Sequence, residues 1–262
     1  MRALTLALVQ TATHWHDPAA NRRRFDTWFA AVPETADVII LPEMFSTGFT
    51  MASAAVAEAM DGPTVDWMRD AARLLDKVVC GSLVIAEGGR CFNRFVWMPP
   101  DGSSVVYDKR HLFRMAGEHS HYAAGTMRPV IRYRDWRILP LVCYDLRFPV
   151  WLRNRGDYDL LLAVANWPAA RRLAWDTLLR ARAIENLAYA AGVNIVGVDG
   201  NGVEYAGGTA VYGPDGAGLL ESAADPGVYC VTLDGDGLND FRARFPAWQD
   251  ADPFTLAEAS GD

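Results

Sequence analysis

The sequence predicts an α/β fold built on mixed sheets, and three observations lead there. Short β-rich runs recur along the whole chain, helical segments separate several of them, and two Pro-Asp-Gly turns, Pro100 to Gly102 and Pro214 to Gly216, lie between apolar runs. Alternating strands and helices imply parallel pairing through crossovers. A Pro-Asp-Gly turn between apolar runs implies a hairpin and therefore antiparallel pairing. Each of these turns follows a strand, a glycine-bearing turn (Gly88-Gly89 or Gly200 to Gly202) and a further strand. That repetition points to two related halves, such as two sheets packed as a sandwich.

The elements follow in chain order. The apolar stretch Ala3 to Val9 begins after a single Arg and runs into Gln10 and Thr11 without a small-residue cleavage site, so it reads as a first strand and not a signal peptide. DVIILP supplies another strand. Thr64 to Lys77 has Pro63 beside its start and Val65, Met68, Ala72 and Leu75 on one face, the spacing of an amphipathic helix. VVCGSLVIA, FVWM, RILPLVC and LLLAVAN read as strands, followed by a helix from about Arg171 to Ala191 that stops at Gly192. VNIVGV, TAVYG and VYCVTL complete the series. No linker, charge block or low-complexity stretch divides the chain, so residues 1–262 are expected to form one domain. A C-terminal tail over about 236–262 is expected to pack on that domain or on a dimer partner.

Composition narrows the function. With 51% of 262 residues hydrophobic, the chain can bury one large core. A net charge of −7 argues against nucleic acid or an anionic membrane surface as partner, because both need a basic face. No uncharged apolar stretch approaches the ~20 residues that cross a bilayer, and the expected location is cytoplasmic. Four scattered cysteines, with no Cys-x-x-Cys pair, form neither a disulfide framework nor a zinc or redox motif. Cys80 and Cys230 lie inside strand-like runs and are expected to be buried thiols.

Three reactive side chains occupy equivalent places. Glu43 follows DVIILP, Lys109 follows SVVYD and Cys143 closes RILPLVC, each at the C-terminal end of a strand-like run. Ligands bind at that edge of an α/β sheet, so three strand ends can bring a carboxylate, an ammonium and a thiol together. Cys143 passes from its strand into Tyr-Asp-Leu-Arg-Phe-Pro, a polar turn in which a thiol becomes accessible and a nearby cation would favour its thiolate. Glu43, embedded in VIILPEMF, is expected to be partly desolvated, which suits a general base. For Lys109 the alternative is a structural ion pair with Asp108 or Glu43.

The ordered segments LPEMFSTGF, YDKRHLF and LVCYDLRFP resemble the glutamate, lysine and cysteine signatures of the nitrilase superfamily of carbon–nitrogen hydrolases. The likeness continues through ANWP, ARAIEN and the PAWQDADPF tail and is strongest to the bacterial omega-amidase branch, which hydrolyses 2-oxoglutaramate and 2-oxosuccinamate. It implies a four-layer α-β-β-α sandwich, usually a homodimer, and marks Glu118 as a second glutamate that positions Lys109 or the hydrolytic water. Tyr144-Asp145 replaces the Trp-Glu of nitrile-cleaving members and favours amides; Val150 stands where many omega-amidases carry Glu.

The implied chemistry is a covalent route without metal or organic cofactor. Glu43 takes the thiol proton, Cys143 attacks a small carboxamide, and Lys109 with the backbone N–H of Tyr144 holds the oxyanion. Arg147 is expected to grip a substrate carboxylate, the alternative being a structural ion pair with Asp145 or another acid; Trp167 is expected to form a pocket wall or core contact, with Asn166 beside it. A rival metallohydrolase would use His111, His119, His121 and Glu118, since His-x-His beside a carboxylate can ligate zinc, but it leaves Cys143 without a role. A catalytically silent scaffold is the second rival, opposed by the presence of all three catalytic residue types.

Overall fold

The structure is a computed structural model and is described for residues 1–256. Two six-stranded sheets form its centre. The first runs in the order β14 (Gly227–Leu233), β1 (Leu4–Gln10), β2 (Val38–Ile40), β3 (Val78–Glu87), β4 (Arg90–Met98) and β5 (Val105–Asp108). The second runs β13 (Gly218–Glu221), β12 (Ala210–Tyr212), β9 (Tyr189–Val193), β8 (Leu160–Val164), β7 (Trp136–Val142) and β6 (Ile131–Tyr133). Each sheet has three parallel strands at its centre, a hairpin pair continuing antiparallel on one side and one antiparallel strand on the other. The two Pro-Asp-Gly turns make the equivalent hairpins β4–β5 and β12–β13. Of the two glycine-bearing turns, Gly88-Gly89 joins β3 to β4, whereas Gly200 to Gly202 joins a separate two-stranded ribbon, β10 (Val196–Val198) and β11 (Glu204–Ala206).

Strand alternation sorts side chains into layers. Leu4, Leu6, Leu8, Val38, Ile40, Val78 and Cys80 join the large core shared with the second sheet, while the intervening Val9, Ile39 and Val79 join the cluster beneath helices α1 (Pro18–Phe29) and α3 (Pro63–Leu75). Helix α5 (Arg172–Asn186) covers the outer face of the second sheet through Trp175, Leu179 and Ala183. The order of layers is α-β-β-α. Two one-turn helices, α2 (Ser53–Val56) and α4 (Pro149–Leu152), and α6 (Gly235–Arg244) complete the α-helices among the described residues.

The structure corrects two sequence expectations. Helix α5 stops at Leu187, in the left-handed conformation at φ 47°, and not at Gly192, which lies within β9. Ala190 and Ala191 favour helix, but burial between β8 and β12 of the mixed sheet overrides that propensity. A Cβ on Gly192 would stand 2.7 Å from both Trp175 and Leu179, so the glycine admits the helix to the sheet. Cys230 is exposed on β14, an edge strand, and only Cys80 of the two strand thiols is fully buried.

In the tail, Arg242 on α6 donates to Asp159 Oδ1 at 2.6 Å, to Leu187 O at 2.7 Å and to Tyr158 O at 2.9 Å. Residues 257–262 of the expected tail lie outside the described residues.

Candidate active site

Strand ends from both sheets meet at one cavity. Glu43 follows β2 after Leu41-Pro42, Lys109 follows β5, Cys143 follows β7 and Asn166 follows β8, and all four line a hollow of about 490 Å³. The first two residues come from one sheet and the last two from the other.

The backbone bends sharply at two of these places. Met44, directly after Glu43, has φ 40°, and Cys143 itself has φ 45°, both in the left-handed region that costs a side-chain-bearing residue about 1–3 kcal/mol. Neighbouring bonds offset that cost. Met44 N–H donates to Ser82 Oγ at 2.9 Å. Beneath Cys143, buried Asp145 accepts from Val142 N–H at 3.1 Å, from the backbone and Nδ1 of His111 at 2.8 Å each, and from Tyr107 O–H at 2.8 Å. His111 stacks on Phe148 with ring centroids 3.8 Å apart. The segment after Lys109 therefore fastens the turn that carries the thiol.

Buried charge dominates the floor. Lys109 Nζ donates to Glu43 Oε1 at 2.9 Å and to both Glu118 oxygens at 3.0 Å, and all three residues are almost wholly removed from solvent. Burial opposes the ammonium charge, but Glu118 and Glu43 outweigh it and hold Lys109 well above the ordinary lysine range. Burial pushes the Glu118 carboxyl up, against the pull of Lys109. The Cys143 thiol is also pushed up, first by burial and then by Glu43, with Lys109 acting the other way. The nearby cation favours the thiolate, as expected, but burial and Glu43 outweigh it.

Glu43 is fixed from several sides. Its Oε1 also accepts from Asn93 Nδ2 at 2.7 Å, its Oε2 accepts from Asn166 N–H at 2.8 Å, and its backbone carbonyl accepts from Asn166 Nδ2 at 3.0 Å. Asn166 Oδ1 is buried with no partner among the described residues. Asn93 was missed by sequence reasoning; its signal is a polar residue inside the apolar run CFNRFVWM, where burial requires hydrogen bonds.

The cavity wall is aromatic and basic. The Arg147 guanidinium lies over the Trp167 ring at 4.9 Å and makes no ion pair among the described residues. Arg147 does not pair with Asp145, which binds His111 and Tyr107. Of the two pairings set against a catalytic Lys109, the one with Glu43 forms, whereas Asp108 binds Arg94 instead. Trp167 serves both expected roles, lining the cavity and belonging to the core. Tyr144 is half-buried against Phe113 and Phe148. Arg171, also missed by sequence reasoning, lines the same wall with its guanidinium 5.3 Å from the Phe113 ring centroid.

The histidine-rich segment is arranged differently from a metal centre. Glu118 turns inward to Lys109, His111 pairs with Asp145, and among the described residues no three His, Cys, Asp or Glu side chains form a group suited to a metal ion.

Residues 5–243 match the family model described as carbon–nitrogen hydrolase. The chain is 49% identical to omega-amidase YafV of Escherichia coli over 257 residues, covering 98% of this chain and all of that protein. It is 28% identical to the 2-oxoglutaramate amidase of Bacillus subtilis over 251 residues, covering 94% and 96% of the two chains. A carbon–nitrogen hydrolase superfamily protein of Xanthomonas campestris, solved with an arsenic adduct in its active site, superposes with a TM-score of 0.96 at 48% identity, covering 98% of this chain and all of that one.

Proposed function

The chain belongs to the carbon–nitrogen hydrolase family, and from that premise we propose that it is a cysteine-dependent omega-amidase that cleaves 2-oxoglutaramate or 2-oxosuccinamate to the dicarboxylate and ammonia. The observation that supports it most is one cavity holding Cys143, the buried Glu43–Lys109 pair at 2.9 Å and an Arg147 guanidinium without an ion-pair partner among the described residues.

At rest the thiol is neutral, because a thiolate would add a third negative charge beside Glu43 and Glu118. Glu43 takes the proton as Cys143 attacks the carboxamide carbon. The oxyanion is held by Lys109 and by the backbone N–H of Tyr144. Collapse expels ammonia, which receives its proton from Glu43 and leaves a thioester. Glu43 then activates a water for hydrolysis while Glu118 keeps Lys109 in place. Asn166 Oδ1, the orphan acceptor, receives an N–H of the carboxamide. Arg147, backed by Trp167, holds the far carboxylate and so sets the reacting carbon over the sulfur. The proposed setting is the cytoplasm, and the proposed assembly is a homodimer.

Ammonia release from a panel of amides tests this reading: 2-oxoglutaramate, 2-oxosuccinamate, glutamine, asparagine, simple aliphatic amides and a nitrile. The two 2-oxo amides should lead the panel, and Cys143→Ala should be inactive while melting as a folded protein. Wild-type rates from Cys143→Ala, or an aliphatic amide as the best substrate, would overturn it.

A further inference from the structure

Two arginines, not one, face the cavity. Arg171 ends the short turn Ala169–Arg171 and stands at the N-cap of α5, with its backbone fixed on both sides: its N–H donates to Pro168 O at 3.0 Å and its carbonyl accepts from Trp167 Nε1 at 2.8 Å. Its half-buried guanidinium lies over Phe113 and makes no ion pair among the described residues. This placement is locally unfavourable. The first turn of α5 has no acidic residue, so a cation sits uncompensated at the positive end of a helix dipole. Arg172, its neighbour, is compensated by Asp176 at 2.7 Å. Asp199, a carboxylate on the same wall, is occupied by the N–H groups of Asn201 and Val203 and by Tyr205 O–H. Neither carboxylate bonds to Arg171, so its N–H donors are open to a ligand in the cavity.

We infer that Arg171 is the specificity residue that distinguishes 2-oxo acid amides from 2-amino acid amides. The inference rests on the omega-amidase reading and extends it. A 2-oxo acid amide and its 2-amino counterpart share the carboxylate that Arg147 holds, and they differ at the adjacent carbon. There, a guanidinium donates to a ketone oxygen but meets an ammonium as like charge, so one residue favours the first substrate and rejects the second. Arg147 and Arg171 thus have separable roles, one for the carboxylate and one for its neighbour.

The experiment compares kcat/KM for 2-oxoglutaramate and glutamine in the wild type, Arg171→Met, Arg171→Lys and Arg147→Met, with melting temperatures as the check on folding. Where glutamine turnover is too slow, inhibition constants for 2-oxoglutarate and glutamate supply the same ratio. Arg171→Met should lower the preference for the 2-oxo compound by about tenfold or more, as expected for losing a charge-assisted hydrogen bond and a like-charge barrier together. The Lys variant should recover part of that preference. Arg147→Met should weaken both compounds together and leave their ratio near the wild-type value. An equal loss on both compounds in Arg171→Met, or no change in either, would overturn the role given to Arg171. If the wild type does not hydrolyse 2-oxoglutaramate at all, the omega-amidase reading fails first and this inference fails with it.

Discussion

Lys109 lies between two buried carboxylates, so its charge is already in place before any substrate oxygen becomes negative. Removing one oxyanion donor of this kind typically costs a factor of ~10² to 10³ in kcat, and Lys109→Met should show a loss of that size in steady-state assays. The variant also leaves Glu43 and Glu118 without their shared counter-charge, so its melting temperature should fall as well. The thiol gives a pH prediction. Burial and Glu43 hold Cys143 above the ordinary thiol range, so little thiolate exists at neutral pH and its titration should lie on the alkaline side of a free thiol's. The difference in thiolate absorbance between wild type and Cys143→Ala, titrated with pH, measures this. A midpoint below 7 would mean a preformed thiolate–cation pair and would remove the need for Glu43 as base. Glu43, Lys109 and Cys143 were legible in the sequence because each ends an apolar run, and strand ends are where a sheet presents side chains to ligands. Asn93 and Arg171 were not, because a polar residue within a strand and a basic residue before a helix acquire meaning only from what folds against them.

At the scale of elements, β9 shows where sequence patterning stops. Tyr-Ala-Ala-Gly-Val carries no alternation and follows directly on a helix, so its sequence reads as a continuation of that helix; its three-dimensional setting, between β8 and β12, decides otherwise. Gly192→Val should strain the α5 contact, where overpacking typically costs about 1–3 kcal/mol. For a chain of this size each kcal/mol lowers the melting temperature by roughly 2–4 °C, which thermal denaturation would resolve. The two strand cysteines now separate. Cys80→Ala removes a fully buried sulfur from the inter-sheet core and should cost about 1 kcal/mol, whereas Cys230→Ala, at an exposed edge, should stay within about 0.5 kcal/mol of the wild type. Equal losses at both positions would contradict the edge placement of β14.

At the scale of the whole molecule, the equivalence of the two sheets was foreshadowed by the matched Pro-Asp-Gly hairpins, although the second glycine-bearing turn proved to belong to a separate ribbon. The pairing of the sheets was beyond a local reading, since β14, at the far end of the chain, closes the first sheet beside β1. Glu43 and Lys109 belong to one sheet and Cys143 and Asn166 to the other, with Glu43 and Asn166 bonded across the boundary. In mild guanidinium chloride, amide hydrolysis should decline before the helical circular dichroism does, because loosening one sheet against the other separates the reacting groups while both sheets remain hydrogen-bonded. Coincident transitions would show that the sheets part only when they melt. The seam therefore acts as a vernier: turnover reads the alignment of two half-molecules on a scale finer than any measure of how much secondary structure survives.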